Sequence, residues 1–176
     1  MTGRLTWPRR IAVVAALIAI AAFFLPYISA TDDYRERMQY FAGEKLIDSV
    51  DITVGEMMDL SLFKYARVYQ QGGDALLHAH GSGMIYTVLY SAVPVFAILV
   101  LLAALRKRPI LTLLCDLLMG GTIWIINWDF AVRGIMPDSD RLWAVAYYLY
   151  YPLAAIIAIC AIWMFIEKRK AKKACK

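Results

Sequence analysis

The chain is organised around "MIYTVLYSAVPVFAILVLLAALRKRPILTLLCDLLMGGTIWIINWDFAV", which runs from Met84 to Val132. Two apolar blocks, 84–105 and 110–132, are separated only by Arg106, Lys107, Arg108 and a proline. A helix needs ~20 residues to cross a hydrocarbon core of ~30 Å, and each block is long enough. The stretch therefore predicts two membrane-spanning helices joined by a short basic turn.

Two further apolar blocks lie on either side of this stretch, at about 11–28 and 142–166. The whole chain is 61% hydrophobic, which is more than a soluble domain of 176 residues can bury. The sequence thus predicts an all-α membrane protein, a single integral domain that forms a four-transmembrane-helix bundle.

The charges between the blocks predict the orientation. Basic residues dominate the N-terminal segment, the turn at 106–108 and the tail at 167–176, whereas residues 31–83 carry nine acids against five bases. By the positive-inside rule, both termini and the basic turn are expected in the cytoplasm and residues 31–83 outside. The net charge of +5 is accordingly interpreted as orientation and contact with lipid headgroups, not as nucleic-acid binding.

A secretory signal is the alternative for the first block. "RRIAVVAALIAIAAFFLPYISA" has a basic start, an apolar centre and a possible cleavage site at Ile28-Ser29-Ala30. Cleavage would leave three spans. The length of the block, and Pro26 and Tyr27 at its end, favour a retained first span instead.

The outer loop at 31–83 is the only sizeable part outside the spans. "DDYRERMQYFAGEKL" is typical of a charged helix, and "DSVDITV" alternates as a short strand does. Thr53 and Glu56 form a possible capping box for an amphipathic helix over "GEMMDLSLFKYARVYQQ", which should end at Gly72-Gly73. Its apolar face is expected to pack on the membrane surface or the tops of the spans, or to dock a partner protein.

This layout, with four spans, inner termini and a large first outer loop containing a strand, is similar to that of claudin-type tetraspan proteins. The loop signature of that family, a tryptophan, a Gly-Leu-Trp and two cysteines, is absent from residues 31–83. The resemblance therefore implies topology alone.

Asp116 is a carboxylate inside an apolar block. Thr112, Asp116, Gly120, Ile123 and Asn127 share one face of the predicted third span, a polar or small stripe that should turn toward other helices. Asp116 would lie roughly 9 Å from the inner edge, because each helical residue rises about 1.5 Å. It could act as structural glue through a backbone carbonyl or Arg106 or Arg108, as a proton or ion site, or as a contact with another subunit.

Aromatic residues gather at the predicted outer ends of the last three spans. An aromatic belt at the interface accounts for most of them. Some rings of "YYLYYP" must nevertheless point inward, and Asn127 or Asp129 could bond their hydroxyls. An outer cavity for a small molecule or lipid headgroup would use Tyr86, Tyr90, Asn127, Asp129, Tyr147 and Tyr151. Asp129 and Arg133 should form an ion pair at i and i+4.

Metal and cofactor signals are weak. His78 and His80 form an H-x-H pair near Asp74, but two histidines and one acid do not define a metal site. The three cysteines include no C-x-x-C pair, and Asn127 is not in a glycosylation sequon. We expect no cofactor, and a plasma membrane of bacterial type.

Three classes of function follow. The first is a non-catalytic accessory or scaffolding subunit whose outer loop or third span binds a membrane or envelope partner, or a second copy of the chain. The second is a small oligomeric transporter or channel that uses Asp116 or the outer cavity. The third is a membrane enzyme on lipid substrates that uses Asp129, Asp138, Asp140 and the histidines. No nucleophile and base pair, and no phosphate-binding glycine motif, appears in the sequence, so the first class is favoured.

Overall fold

The computed structural model describes residues 7–47, 50–77, 81–134 and 140–174. This part of the chain is mostly helical. Its elements, in chain order, are α1 (Trp7–Ala22), β1 (Pro26–Ala30), α2 (Asp32–Met38), a 3₁₀ turn (Gln39–Phe41), β2 (Lys45–Ile47), β3 (Val50–Thr53), α3 (Val54–Met57), β4 (Asp59–Ser61), α4 (Leu62–Leu77), α5 (Ser82–Leu105), α6 (Pro109–Val132), β5 (Arg141–Trp143) and α7 (Val145–Ala174).

Three helices in the described part, α5, α6 and α7, are long and apolar enough to cross a membrane. The chain therefore has the length and composition of an integral membrane protein. α5 packs against α6, α6 against α7, and α1 against both α5 and α7. α5 and α6 match the predicted blocks 84–105 and 110–132 to within two residues.

α1 is shorter than the predicted span at 11–28. Its 16 residues end at Ala22, and Pro26 begins β1, so the helical prediction for the last part of that block was wrong. A proline disfavours helical backbone at the residue before it and cannot donate a helical hydrogen bond. The face of α1 that enters the bundle consists of alanines, which allow the helices to approach closely: Ala12, Ala15, Ala16, Ala19 and Ala22.

A small antiparallel sheet closes one end of the bundle. β1 is its central strand, with β4 on one side and β5 on the other. Ile28 pairs with both Leu60 and Trp143. The predicted fourth span at 142–166 was therefore wrong at its start, because Leu142 and Trp143 form β5 and α7 begins at Val145. We call this the sheet end of the bundle.

The region 31–83 is divided into more and shorter helices and strands than the sequence predicts. The strand in "DSVDITV" is confirmed as β3, and it pairs with β2. The Thr53–Glu56 capping box is also confirmed, but it caps only α3, four residues long. β4 then interrupts the predicted amphipathic helix, because its residues pair with β1. The long helix of the region is α4.

The sequence predicted a helix end at Gly72 and Gly73, and this prediction was wrong. Both glycines lie inside α4. α4 crosses α5 where Gly73 meets Gly83. A Cβ on Gly83 would lie 2.6 Å from the carbonyl oxygen of Tyr69 and 3.0 Å from the Cα of Gly73. Only glycine fits this crossing, so the pair sets the distance between α4 and α5.

The opposite end of the bundle contains the tight turn from α5 to α6, in which Lys107 has a left-handed φ of 55°. Arg9 of α1 donates from Nε to the carbonyl of Ala104 at 3.0 Å and from Nη2 to the carbonyl of Leu105. The carbonyl of Ala104 also accepts from the amide of Lys107, so Arg9 adds bonds to carbonyls at the end of α5. We call this the basic end.

Candidate functional site

Tyr27 lies at the centre of the sheet end and is fully buried. β1 carries it into the bundle, where its ring contacts Phe130, Trp143, Tyr147 and Tyr150 at centroid distances of 5.8 to 6.3 Å. Its hydroxyl donates to Oδ1 of Asn127 at 2.7 Å. Sequence reasoning treated Tyr27 as the interfacial end of a span. Only the turn into β1 places it in the core.

Asn127 connects Tyr27 to α7. Its Nδ2 donates to the hydroxyl of Tyr151 at 2.6 Å, while its Oδ1 accepts from Tyr27. The amide thus uses both its donor and its acceptor between β1, α6 and α7. The prediction that Asn127 meets tyrosine hydroxyls is confirmed.

Arg133 organises the other half of this end. Its guanidinium donates to Asp129 within α6 and to the hydroxyl of Tyr69 on α4 at 2.5 Å, and lies 4.6 Å from the ring centroid of Tyr86 on α5. Asp129 also accepts from the hydroxyl of Tyr86 at 3.0 Å. The predicted Asp129–Arg133 pair is confirmed, and Tyr69 is an additional partner that the sequence did not identify.

Stacked tyrosines fill the space between α4 and α5. Tyr90 is fully buried and stacks on Tyr65 and Tyr69, each at 5.5 Å. Tyr69 also stacks on Tyr86 at 5.0 Å. On the other side of the sheet end, Tyr147 stacks on Trp143 at 4.2 Å. The predicted candidates Tyr86, Tyr90, Tyr147 and Tyr151 therefore contact other side chains of this protein directly.

Two ion pairs fasten α2 to the sheet. Arg35 donates to Oδ1 of Asp59 at 2.5 Å, and Ser29 donates to the same oxygen at 2.7 Å. The bond from Arg35 lowers the pKa of Asp59 below its ordinary value, more than partial burial raises it. Arg37 donates to Oδ1 of Asp140 at 2.6 Å, beside β5.

Asp116 lies in α6, closer to the basic end than to the sheet. It is 3% exposed, and its Oδ1 has no hydrogen-bond partner among the described residues. Pairing with Arg106 or Arg108, one of the alternatives for this carboxylate, does not appear in the described part of the chain. Of the predicted stripe, Thr112, Asp116 and Ile123 are buried and Asn127 is half-buried.

Gly120 breaks the predicted stripe. Neither Gly120 nor its neighbour Gly121 has another atom within 4 Å of where a Cβ would stand. The prediction that the stripe turns toward other helices was therefore wrong at Gly120, because Met119 and Thr122 are the buried residues at that level of α6. Close approach of two helices occurs instead at Gly73 and Gly83.

His78 and His80 lie outside the described residues, as does Asp138. Asp74 accepts from the backbone amides of Gly81 and Gly83, at 2.9 Å each, and so anchors the start of α5. Among the described residues, no three histidine, cysteine or acidic side chains are grouped closely enough to hold a metal ion.

The 3₁₀ turn after α2 presents two aromatic side chains. Tyr40 is 89% exposed and Phe41 is 43% exposed, and the rings contact each other edge to face at 5.3 Å. Neither α2 nor this turn has a fully buried residue. The neighbouring side chains Tyr34, Met38 and Ala42 pack against buried residues, so the exposed aromatic pair lies on a segment that is itself attached to the fold.

Comparison with known proteins adds no assignment: no family model, no curated protein and no solved structure matches the chain.

Proposed function

We propose that the chain is a non-catalytic accessory or scaffolding subunit of a membrane assembly, which binds a membrane or envelope protein through the aromatic pair Tyr40–Phe41. The single observation that carries the proposal is the exposure of this pair, which directly follows α2, a helix that ion pairs join to Asp59 and Asp140. Tyrosine and phenylalanine are enriched at protein interfaces, and tyrosine is enriched among the few residues that carry most of the binding energy.

In this proposal the protein has four spans, and α1 is the first. Sixteen helical residues rise about 24 Å, and the turn at 23–25 adds the apolar length that is still needed. The buried alanine face of α1 and the bonds from Arg9 to α5 support retention of this segment in the bundle. In this proposal the basic end and both termini also lie in the cytoplasm of a bacterium and residues 31–83 lie outside its plasma membrane, an orientation that the basic residues at 106–108 and 168–173 support through the positive-inside rule.

The use of the polar groups at the sheet end supports a binding role over catalysis. Asn127, Asp129 and Arg133 each bond a tyrosine hydroxyl, and Asp129 and Arg133 also pair with each other. Asp140 is paired with Arg37, so two of the acids required by a lipid enzyme are engaged elsewhere.

Site-specific crosslinking tests the proposal. A photoreactive phenylalanine analogue replaces Tyr40 in one strain, Phe41 in a second, and Gln70, an exposed residue of α4, in a control. We expect one discrete adduct of defined mass from positions 40 and 41 in native membranes, and none from position 70. Adducts of equal yield at all three positions, or no adduct at 40 and 41, would contradict it.

A second candidate function is proton or ion transport at Asp116. The buried carboxylate oxygen without a partner favours it, since an intramembrane acid is costly and is commonly part of a transport path. In proteoliposomes, Asp116→Asn would abolish an ion flux at an unchanged melting temperature. If the wild-type protein carries no flux, this candidate fails.

A further inference from the structure

A groove at the basic end lies between the start of α6 and the last turns of α7. Its volume is 660 Å³. The residues that line it are Arg108, Pro109, Ile110, Leu111, Leu114, Phe165, Lys168 and Arg169. The groove therefore has an apolar wall and a cationic rim.

All three charged residues of the lining are basic: Arg108, Lys168 and Arg169. Among the described residues, no ion pair joins any of them to an acid. Arg169 lies over the ring of Phe165 at 4.6 Å, which holds its guanidinium beside the groove. The rim is thus a concentration of positive charge that the described part of the protein leaves uncompensated.

The apolar wall extends from this rim along α6. Ile110 is 62% exposed and Leu114, one turn further, is 53% exposed. Such side chains on a spanning helix favour contact with hydrocarbon. A ligand that fills the groove should therefore have an anionic head and an apolar tail.

We propose that this groove binds an anionic phospholipid, with its phosphate at Arg108, Lys168 and Arg169 and an acyl chain along Ile110, Leu114 and Phe165. Basic pockets between membrane helices bind lipid headgroups of this kind. The start of α6 adds a favourable field, because the positive end of its helix dipole faces the groove and no side chain caps it. This inference goes beyond the proposed function and does not depend on the partner.

The test titrates phosphatidylglycerol or phosphatidylcholine into the purified full-length protein in mild detergent, and counts bound lipids by native mass spectrometry. The groove variant is Arg108→Gln with Lys168→Gln and Arg169→Gln. The control removes as many charges from the same end, outside the groove: Arg10→Gln, Lys107→Gln and Lys170→Gln. We expect the groove variant to lose phosphatidylglycerol affinity by roughly ten-fold or more, and the control to stay near the wild type.

A second variant leaves the charge unchanged. Leu114→Trp fills the wall of the groove, and its control, Leu117→Trp, changes an exposed position of α6 outside it. Leu114→Trp should weaken phosphatidylglycerol binding while Leu117→Trp does not. Equal losses in both members of either pair, or equal affinity of the wild type for the two lipids, would overturn the proposal. If free glycerol phosphate binds as tightly as phosphatidylglycerol and Leu114→Trp weakens neither, a soluble phosphate and not a lipid is the ligand.

Discussion

The sheet end and the basic end of the bundle share the same long helices but close in different ways. At the sheet end, β1 inserts Tyr27 among α6 and α7, and Arg133 joins α4, α5 and α6 through Tyr69, Tyr86 and Asp129. At the basic end, a turn of a few residues joins α5 to α6, and the groove cations have no acidic partner among the described residues. Polar side chains that bond one element to another are therefore concentrated at the sheet end. Charged side chains that face outward are concentrated at the basic end.

This contrast predicts that substitutions at the sheet end cost more stability than substitutions at the basic end. The predictions below are ordered from the largest expected loss to the smallest. The four substitution experiments are measured as the free energy of unfolding of the purified protein in mixed micelles, and the pH experiment as its melting temperature.

Gly83→Ala should have the largest effect. The new Cβ would lie 2.6 Å from the carbonyl of Tyr69, so α4 and α5 must separate. We expect a loss of about 3 kcal/mol, the upper range of overpacking. Gly121→Ala is the control: it has open space around it and should be neutral or stabilise by up to about 1 kcal/mol through helix propensity. Equal effects of the two changes would mean that the crossing is not tight.

Arg133→Met should cost about 2 kcal/mol, because Asp129, whose side chain is only 13% exposed, loses its cationic partner. Arg67→Met serves as the comparison: its partner Asp51 is exposed, and the loss should be about 0.5 kcal/mol or less. If Arg133→Met costs no more than Arg67→Met, the network around Tyr69 and Tyr86 does not hold the sheet end together.

Tyr27→Phe removes one hydroxyl and leaves Oδ1 of Asn127 without its donor. We expect a loss of about 1 kcal/mol. Tyr148→Phe, at a position that is largely exposed, should change stability by less than about 0.5 kcal/mol. If Tyr27→Phe does not change the free energy of unfolding, ring packing and not the hydrogen bond to Asn127 stabilises this end.

Acidification should loosen α2 from the sheet. Because the folded-state pKa of Asp59 is lowered, the stabilisation is complete above the ordinary carboxyl pKa of about 3.9 and declines as pH falls through that value toward the folded pKa. Melting temperatures recorded against pH should fall less steeply in Asp59→Asn than in the wild type. An unchanged slope in Asp59→Asn would contradict the assignment.

The smallest effect is expected at the basic end. Arg108→Gln with Lys168→Gln should change stability by less than about 0.5 kcal/mol in lipid-free micelles, because no acid among the described residues pairs with either side chain. A loss as large as that of Tyr27→Phe would remove the distinction between the two ends.

The long helices could be predicted from the sequence because their signals are local. The apolar blocks of α5 and α6 are bounded by Gly81 and by the Arg-Lys-Arg-Pro turn. Asp129 and Arg133 are four residues apart on one helix, so their ion pair could also be predicted from the sequence. β1 and β5 could not be predicted, because their residues stand at the edges of apolar blocks that were interpreted as spans, and their pairing joins segments more than 100 residues apart.

Tyr27 and Tyr69 were not identified as part of the site, because their hydrogen-bond partners are distant in the sequence. Tyr27 reaches Asn127 only because β1 turns back into the bundle, and Tyr69 reaches Arg133 only because Gly73 and Gly83 bring α4 against α5. In a sequence, a glycine pair can indicate the end of a helix or a close contact with another helix. Only the position of the second helix shows which of the two applies. Asn127, Asp129 and Tyr86, in contrast, have the partners that their residue types require.

The orientation of the two ends is the central claim, and cysteine labelling tests it most directly. Cys115 and Cys160 are buried, Cys175 is in the basic tail, and Glu36→Cys adds an exposed thiol on α2. In intact cells treated with a membrane-impermeant maleimide, we expect label at position 36 alone, and label at Cys175 only after permeabilisation. Label at Cys175 with none at position 36 in intact cells would reverse the orientation and contradict an outward-facing partner site.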